Sequence, residues 1–395
     1  MAKIIVEKLA KIFGGNPKKA LKLLKDGYSK DKILKETDQT VGIAGVSFDV
    51  GEGELFVLMG LSGSGKSTLI RCINRLVEPT SGSICIEGRR IEKMDEKELR
   101  RFRGKKIGMV FQHFALLPNR TVLENVALGL EIRGIPKEDR YKRSEESLKM
   151  VGLIDWKERY PNELSGGMKQ RIGLARALAI DPDILLMDEP FSALDPLIRN
   201  EMQEELLNLQ EEMKKTIIFV THDLDEALKL GDRIAIMRDG RIEQIGTAEE
   251  ILLDPANEYV AKFLKNVDTT KVLTAENIAI KPRETLRETE GPRTAMRKMN
   301  ASDSDYIFVV GRDRGLKGIV LMEDALELAE KRERDVRGII KEADTIDSNV
   351  LIEDIYRIIG KSERCLAVIN EDYKCLGVIT RRSLISSLAE ERGVL

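Results

Sequence analysis

From residue 3 to about residue 260, short apolar runs alternate with longer amphipathic stretches, the pattern of an α/β domain built on a largely parallel sheet. Strands are predicted at residues 55–59, 107–111, 184–187, 217–220 and 234–237. Helices fit between them. One is predicted over 196–213, where Asp195 can cap and Pro196 takes the first helical position. A basic, polar stretch at about 14–40 interrupts the early strands and reads as an insertion, helical around residues 20–24.

After residue 263 the texture changes. Residues 282–292 are polar and charged, without periodic apolar positions, as in a connecting segment. The domain plan is therefore 1–265, a linker at 266–292, and a module at 293–395. That module is an internal repeat, because residues 306–321 lie over 365–380 without gaps, with Gly318 on Gly377. Each copy reads as strand, polar turn, strand and helix, with an amphipathic helix ahead of it (295–299 and 352–359). The copies, about 293–335 and 336–395, are two halves of one small α+β module.

Composition narrows the function classes. With 395 residues two or three domains are expected, and a net charge of -2 gives no bulk attraction to nucleic acid. At 42% hydrophobic and 33% charged residues, the chain can bury sizeable cores under a densely ionic surface, which excludes disordered and collagen-like classes. Its 4 cysteines form neither a CxxC pair nor a cluster with histidine, so a reducing compartment is expected. Charge breaks the N-terminal apolar run too early for a signal peptide, and no window offers ~18 uncharged apolar residues. If the chain serves transport, the pore belongs to another polypeptide.

Three motifs carry chemistry. Gly60-Leu61-Ser62-Gly63-Ser64-Gly65-Lys66-Ser67-Thr68 matches the phosphate-binding pattern GxxxxGK[ST] and sits between a predicted strand and a helix. Its glycines let backbone N–H groups wrap the phosphates; Lys66 would hold the β- and γ-phosphates and Ser67 would bind Mg²⁺. The apolar run 184–187 ends in Asp188 and Glu189, which a buried parallel strand delivers to the carboxyl edge of the sheet beside that loop. Asp188 suits the Mg²⁺ sphere, and Glu189 suits polarising an attacking water. Ser165, Gly166 and Gly167 open an amphipathic helix with a cap and room for a phosphate. One nucleotide already has its loop, so this second anion site makes sense on a facing subunit.

Together these motifs resemble the nucleotide-binding subunit of ATP-binding-cassette (ABC) transporters over about residues 3–260, with Gln170 following the LSGG signature closely. The resemblance implies a P-loop ABC ATPase domain that uses ATP and Mg²⁺. It further implies Gln112 as a glutamine contacting Mg²⁺ and water, His222 as the switch histidine, and Asp195 in the loop between subunits. Phe13 takes the place of the aromatic that stacks on adenine, where family members more often have Tyr. No motif claims His113. The apolar stretch 114–118 is expected to belong to the docking surface for the permease.

Soluble ABC proteins of translation or DNA repair usually carry two cassettes or a long coiled-coil insertion, and this sequence has neither. Residues 11–14, the insertion, 60–65, 74–82 and 195–199 look like the ATPase subunit of glycine betaine/proline betaine uptake systems. The repeat resembles a tandem pair of CBS motifs, the regulatory module of that subfamily. This finer resemblance implies import of glycine betaine or a related quaternary amine through a separate membrane permease, fed by an extracytoplasmic amine-binding protein or domain. It also implies a peripheral site on the cytoplasmic face of the membrane, and two copies of the chain sandwiching ATP. Nucleotide-binding CBS motifs often place Thr or Ser and then Asp after the second strand. Here the first copy has Leu321 and Asp324 and the second has Thr380 and Ser383, so each keeps half of the pattern and a packing or electrostatic role gains weight. Arg381 and Arg382 are basic residues suited to anionic lipid or nucleotide. The exposed sheet faces of the two copies are expected to pair between subunits.

Overall fold

The computed structural model describes residues 2–111, 115–192, 194–265, 269–311, 315–359, 365–380 and 384. It divides into two compact units, Met1–Leu264 and Lys265–Leu395.

The first unit opens with β1 (Ala2–Phe13), whose register with β2 (Thr40–Gly51) sets Phe13 opposite Thr40. Between the paired ends run α1 (Pro17–Lys25) and α2 (Lys30–Thr37), so the helix expected in the insertion is present and a second follows it. Asn16 and Ser29 cap them, accepting from the N–H groups of Lys19 and Lys32. Ala20, Leu24 and Ile33 pack on Ile12 and Val41, which fixes the insertion to the strand pair.

Strand β3 (Leu55–Met59) lies inside a six-stranded sheet, with α3 (Lys66–Ile73) after it. It pairs in parallel with Thr216–Thr221 and Arg233–Arg238, and Ile184–Asp188 pairs in parallel with Thr216–Thr221 and Ile107–Val110. The strand predicted at 107–111 stops at Val110. Every residue of β3, Ile184–Asp188 and Thr216–Thr221 is buried, which explains why the sequence shows continuous apolar runs there instead of alternation. A four-stranded antiparallel sheet containing β1 and β2 covers the core, with Ile4, Ile43 and Ile84 packed against Phe56, Leu58 and Ile218. The helix Pro196–Met213 begins as predicted, with Asp195 accepting from the Ile198 N–H at 3.1 Å.

In the second unit each copy forms a three-stranded sheet of the same topology. Thr285–Arg287 runs parallel to Tyr306–Val310, which is antiparallel to Leu316–Leu321; Thr345–Asp347, Leu366–Ile369 and Cys375–Ile379 repeat this arrangement. One face of the first sheet packs Leu286, Ile307 and Val309 on Ala295 and Met299 of the helix Pro292–Ser302. Its other face, with Phe308, Ile319 and Leu321, meets Cys365, Ala367 and Val378 of the second copy. The faces expected to pair between subunits are thus covered within one chain. Within the stretch 266–292, expected as a linker, residues 269–292 are also structural. Ala275 is fully buried among Ile346, Ile352 and Ile355 of the second copy, and Leu286 is a core residue of the first. Leu286 is a single apolar residue among polar neighbours, whereas Ala275 lies among Leu273, Ile278 and Ala279, which pack on the same core.

Candidate active site

Parallel pairing sets Met59 beside Thr221 and Asp188 beside Val220. Three strand ends therefore deliver the phosphate loop, His222 and the Asp188–Glu189 pair to one edge of the sheet, where open α/β sheets bind ligands.

The loop is shaped by its glycines. A Cβ on Gly60, at φ +149°, would lie 2.3 Å from the Met237 carbonyl oxygen, and one on Gly65, at φ +105°, would lie 2.5 Å from that of Gly42. No other residue fits either position. Gly65 precedes α3 and supplies no side-chain cap, as suits a helix start that serves an anion. Lys66 is 4% exposed, and its ammonium donates to the carbonyls of Gly60 at 2.7 Å and Leu61 at 3.1 Å. Burial pulls its pKa below the ordinary lysine range, against the opposing charges of Glu189 and Asp188.

Asp188 is 1% exposed; Arg71 lies 3.3 Å from its Oδ2, and its Oδ1 has no hydrogen-bond partner. A buried, unsatisfied carboxylate oxygen is costly unless a ligand or ion completes it. Together with the hydroxyl of Ser67, a residue lining the cleft at this sheet edge, it makes a hard-oxygen set that fits Mg²⁺. Glu189 is held at φ 48°, its N–H donating to the Val220 carbonyl at 3.0 Å. Its Oε2 lies 3.1 Å from His222 Nδ1, and its Oε1 lies 3.9 Å from Lys66 Nζ.

Around these groups lies a cleft of about 760 Å³, lined by Ser62, Gly63, Gly65, Lys66, Ser67, Thr68, Glu189 and His222 at one end and by Phe13 with α2 residues at the other. Gly60 and Ser64 lie beneath it, buried. Ser165, Gly166, Gly167, Gln170 and Asp195 are outside its lining. Ser165 caps the helix Gly166–Ala179, accepting from the Met168 N–H at 3.3 Å, and Gln170 is buried. Gln112, His113 and Phe114 lie outside the described residues, as do Arg381, Arg382 and Ser383. In the second unit a cleft of about 670 Å³ is lined by Tyr306, Met322, Arg283 and Thr380, while Asp324 is ion-paired with Lys341 at 2.7 Å.

The model of the ABC transporter family matches residues 43–192, and that of the CBS domain matches 334–390. The chain is 51% identical to the glycine betaine transport ATP-binding protein OpuAA of Bacillus subtilis, over 98% of this chain and 92% of that one. It is also 51% identical to the glycine betaine/carnitine transport ATP-binding protein GbuA of Listeria monocytogenes, over 98% of each. The chain belongs to the glycine betaine transport ATP-binding proteins. A dimeric ATP-binding cassette solved in a post-hydrolysis state with ADP and Pi is similar over 62% of this chain and 98% of its own, at 35% identity and TM-score 0.53.

For an ABC ATPase of this family, the structure adds residues that the motifs did not indicate. Lys30, Asp31, Leu34 and Thr40, all in the stretch read as an insertion, and Asp239, just past the strand predicted at 234–237, line the cleft. Asn125 is fully buried; it accepts from the Leu117 N–H and donates to the carbonyls of Leu117, Arg120 and Thr121. It thereby shapes the loop expected to meet the permease. Its sequence neighbours, with Glu124 beside it and apolar residues after it, gave no distinct signal for this role. Among the described residues no helix is long and apolar enough to cross a membrane.

Proposed function

We propose that the chain powers the import of glycine betaine or a related quaternary amine through a separate membrane permease. Two copies would bind ATP between them at the cytoplasmic face of the membrane. The observation that carries the reading is the convergence of Lys66, Glu189 and His222 on one cleft, with Asp188 ending a strand at the same carboxyl edge of the sheet. Lys66 and the loop from Gly60 to Thr68 hold the triphosphate. Ser67 and Asp188, joined by Gln112, would hold Mg²⁺, which neutralises charge on the phosphates. Glu189 accepts a proton from the attacking water, and His222 orients its carboxylate. Phe13 stacks on adenine. Ser165, Gly166, Gly167, Gln170 and Asp195 complete the partner copy's nucleotide site. The substrate is inferred from the relatives that match along nearly their whole length, which are glycine betaine and glycine betaine/carnitine transport ATP-binding proteins, and an extracytoplasmic amine-binding protein or domain would deliver it.

The test is uptake of radiolabelled glycine betaine into vesicles that hold the chain with its permease and amine-binding protein. ATP-dependent accumulation, absent with proline or glucose as the label, is expected. Hydrolysis that persists without any uptake would leave an ATPase and remove the importer.

The second unit, the tandem CBS module, would regulate this activity. Residues 2–264 contain every group assigned to phosphate, Mg²⁺ or water, so a chain ending at Leu264 should keep basal hydrolysis within about twofold. Uptake across a salt series should flatten on truncation, because surface charge contacts are screened within ~8 Å at physiological salt. Superimposable salt curves for the full and shortened chains would leave the module without a regulatory role.

A further inference from the structure

We propose that α2 of the insertion is the second wall of a nucleoside subsite, holding the base and ribose of a purine nucleoside triphosphate between Phe13 and the Lys30, Asp31 and Leu34 face of the helix. The inference rests on the reading that the loop from Gly60 to Thr68 holds the triphosphate. One continuous cleft joins that loop to Phe13 and to α2, and its volume of about 760 Å³ falls among small-molecule sites.

The wall is anchored. Ile33 is fully buried against the β1–β2 pair, Ser29 caps the first turn, and Asp38 ends the helix in the left-handed region. Ile33 faces inward, Lys30 borders that buried face one turn earlier, and Leu34 and Asp31 follow round the helix, so that all three line the cleft. The opposite wall is equally defined. Gly42 abuts the Phe13 ring so closely that a Cβ there would lie 2.9 Å from a ring carbon, and the Lys11 ammonium sits 5.0 Å from the ring centroid. The ring remains 43% exposed, and Leu34 across the cleft is 44% exposed. Two apolar surfaces bordering a phosphate site suit a flat heteroaromatic ring.

The polar groups suit the rest of a nucleoside. The Asp31 carboxylate accepts hydrogen bonds, as ribose hydroxyls or an exocyclic amine require; the Lys30 ammonium donates, as ring nitrogens require. Lys30 is half-buried, and burial lowers its pKa while Asp239, another lining residue, opposes that effect. The turn carrying Asp239 is tied to the phosphate loop, because the Gly240 N–H donates to the Ser64 carbonyl at 2.8 Å. Base wall, ribose wall and phosphate loop are therefore one connected frame.

The experiment measures binding of two probes, ATP and inorganic tripolyphosphate, by calorimetry on the full chain. Leu34→Ala combined with Asp31→Ala should weaken ATP about five- to fiftyfold and leave tripolyphosphate within twofold, since only the nucleoside half loses contacts. Lys66→Ala should weaken both probes. If the α2 variant leaves ATP unchanged, or weakens both probes equally, while Lys66→Ala still acts, the α2 assignment is overturned and the phosphate reading stands. If Lys66→Ala affects neither probe, the phosphate reading itself fails. Photolabelling of the unaltered chain with 8-azido-ATP needs no variant to fold. Labelled peptide within residues 27–38 supports the wall, and labelling that spares this segment while marking Phe13 overturns it.

Discussion

Glu189→Gln is expected to keep ATP bound while hydrolysis falls by ~10²–10⁴-fold, the usual contribution of a positioned general base. The amide matches the carboxylate in size, so it can stay near Lys66 and beside His222, 3.1 Å from the present Oε2. What it cannot do is take a proton. The backbone at φ 48° is set by the Val220 carbonyl and by the turn after the strand Ile184–Asp188, neither of which depends on the side-chain charge. Size-exclusion chromatography with ATP should then show a long-lived dimer, and calorimetry should give an ATP affinity close to that of the unaltered chain. Turnover near the normal rate would remove Glu189 from the base role and shift attention to His222.

Mixed dimers should give an equally large contrast. Ser165 and the glycines after it open a helix outside the cleft that Lys66 lines, so on the proposed function the anion they are suited to would be held by another copy. Chains carrying Lys66→Ala and Ser165→Arg should each be inactive alone. Combined, they form a heterodimer in which one composite site has an intact Lys66 and an intact Ser165, whereas pairing within a chain leaves no intact site. Vanadate trapping of labelled nucleotide is expected to reach about one per heterodimer, against none for either homodimer. Trapping at the homodimer level would place Ser165 in the site of its own chain.

Much of this was legible in the sequence because the groups concerned are local. The phosphate loop is one contiguous run, Asp188 and Glu189 end an apolar strand, and Asp195 with Pro196 marks a helix start; each was assigned from neighbours within a few residues. Lys30, Asp31 and Leu34 were missed for the opposite reason. Their place in the cleft depends on the β1–β2 register, which sets Phe13 against Thr40 and carries α2 to the cleft wall. Periodicity does not report such a juxtaposition. Leu286 was hidden differently, since one buried residue in a three-residue strand leaves no pattern to count. The first strands of the repeat's hairpins, Tyr306–Val310 and Leu366–Ile369, are continuous apolar runs, which says that both faces are covered, not whether the cover comes from the same chain.

The position of Ala275 bears on how the chain is made. Its N–H donates to the Val350 carbonyl at 2.8 Å, and the Ile352 N–H donates to the Leu273 carbonyl at 3.0 Å, so the first part of the second unit to leave a ribosome closes on parts translated long afterwards. The cassette can compact during synthesis, as domains generally do. The second unit must wait, with the apolar side of Phe308, Ile319 and Leu321 bare until residues 365–378 emerge to cover it. A message cut between the two copies would therefore yield a sticky nascent fragment, drawn to chaperones and proteases, and not half of a working module.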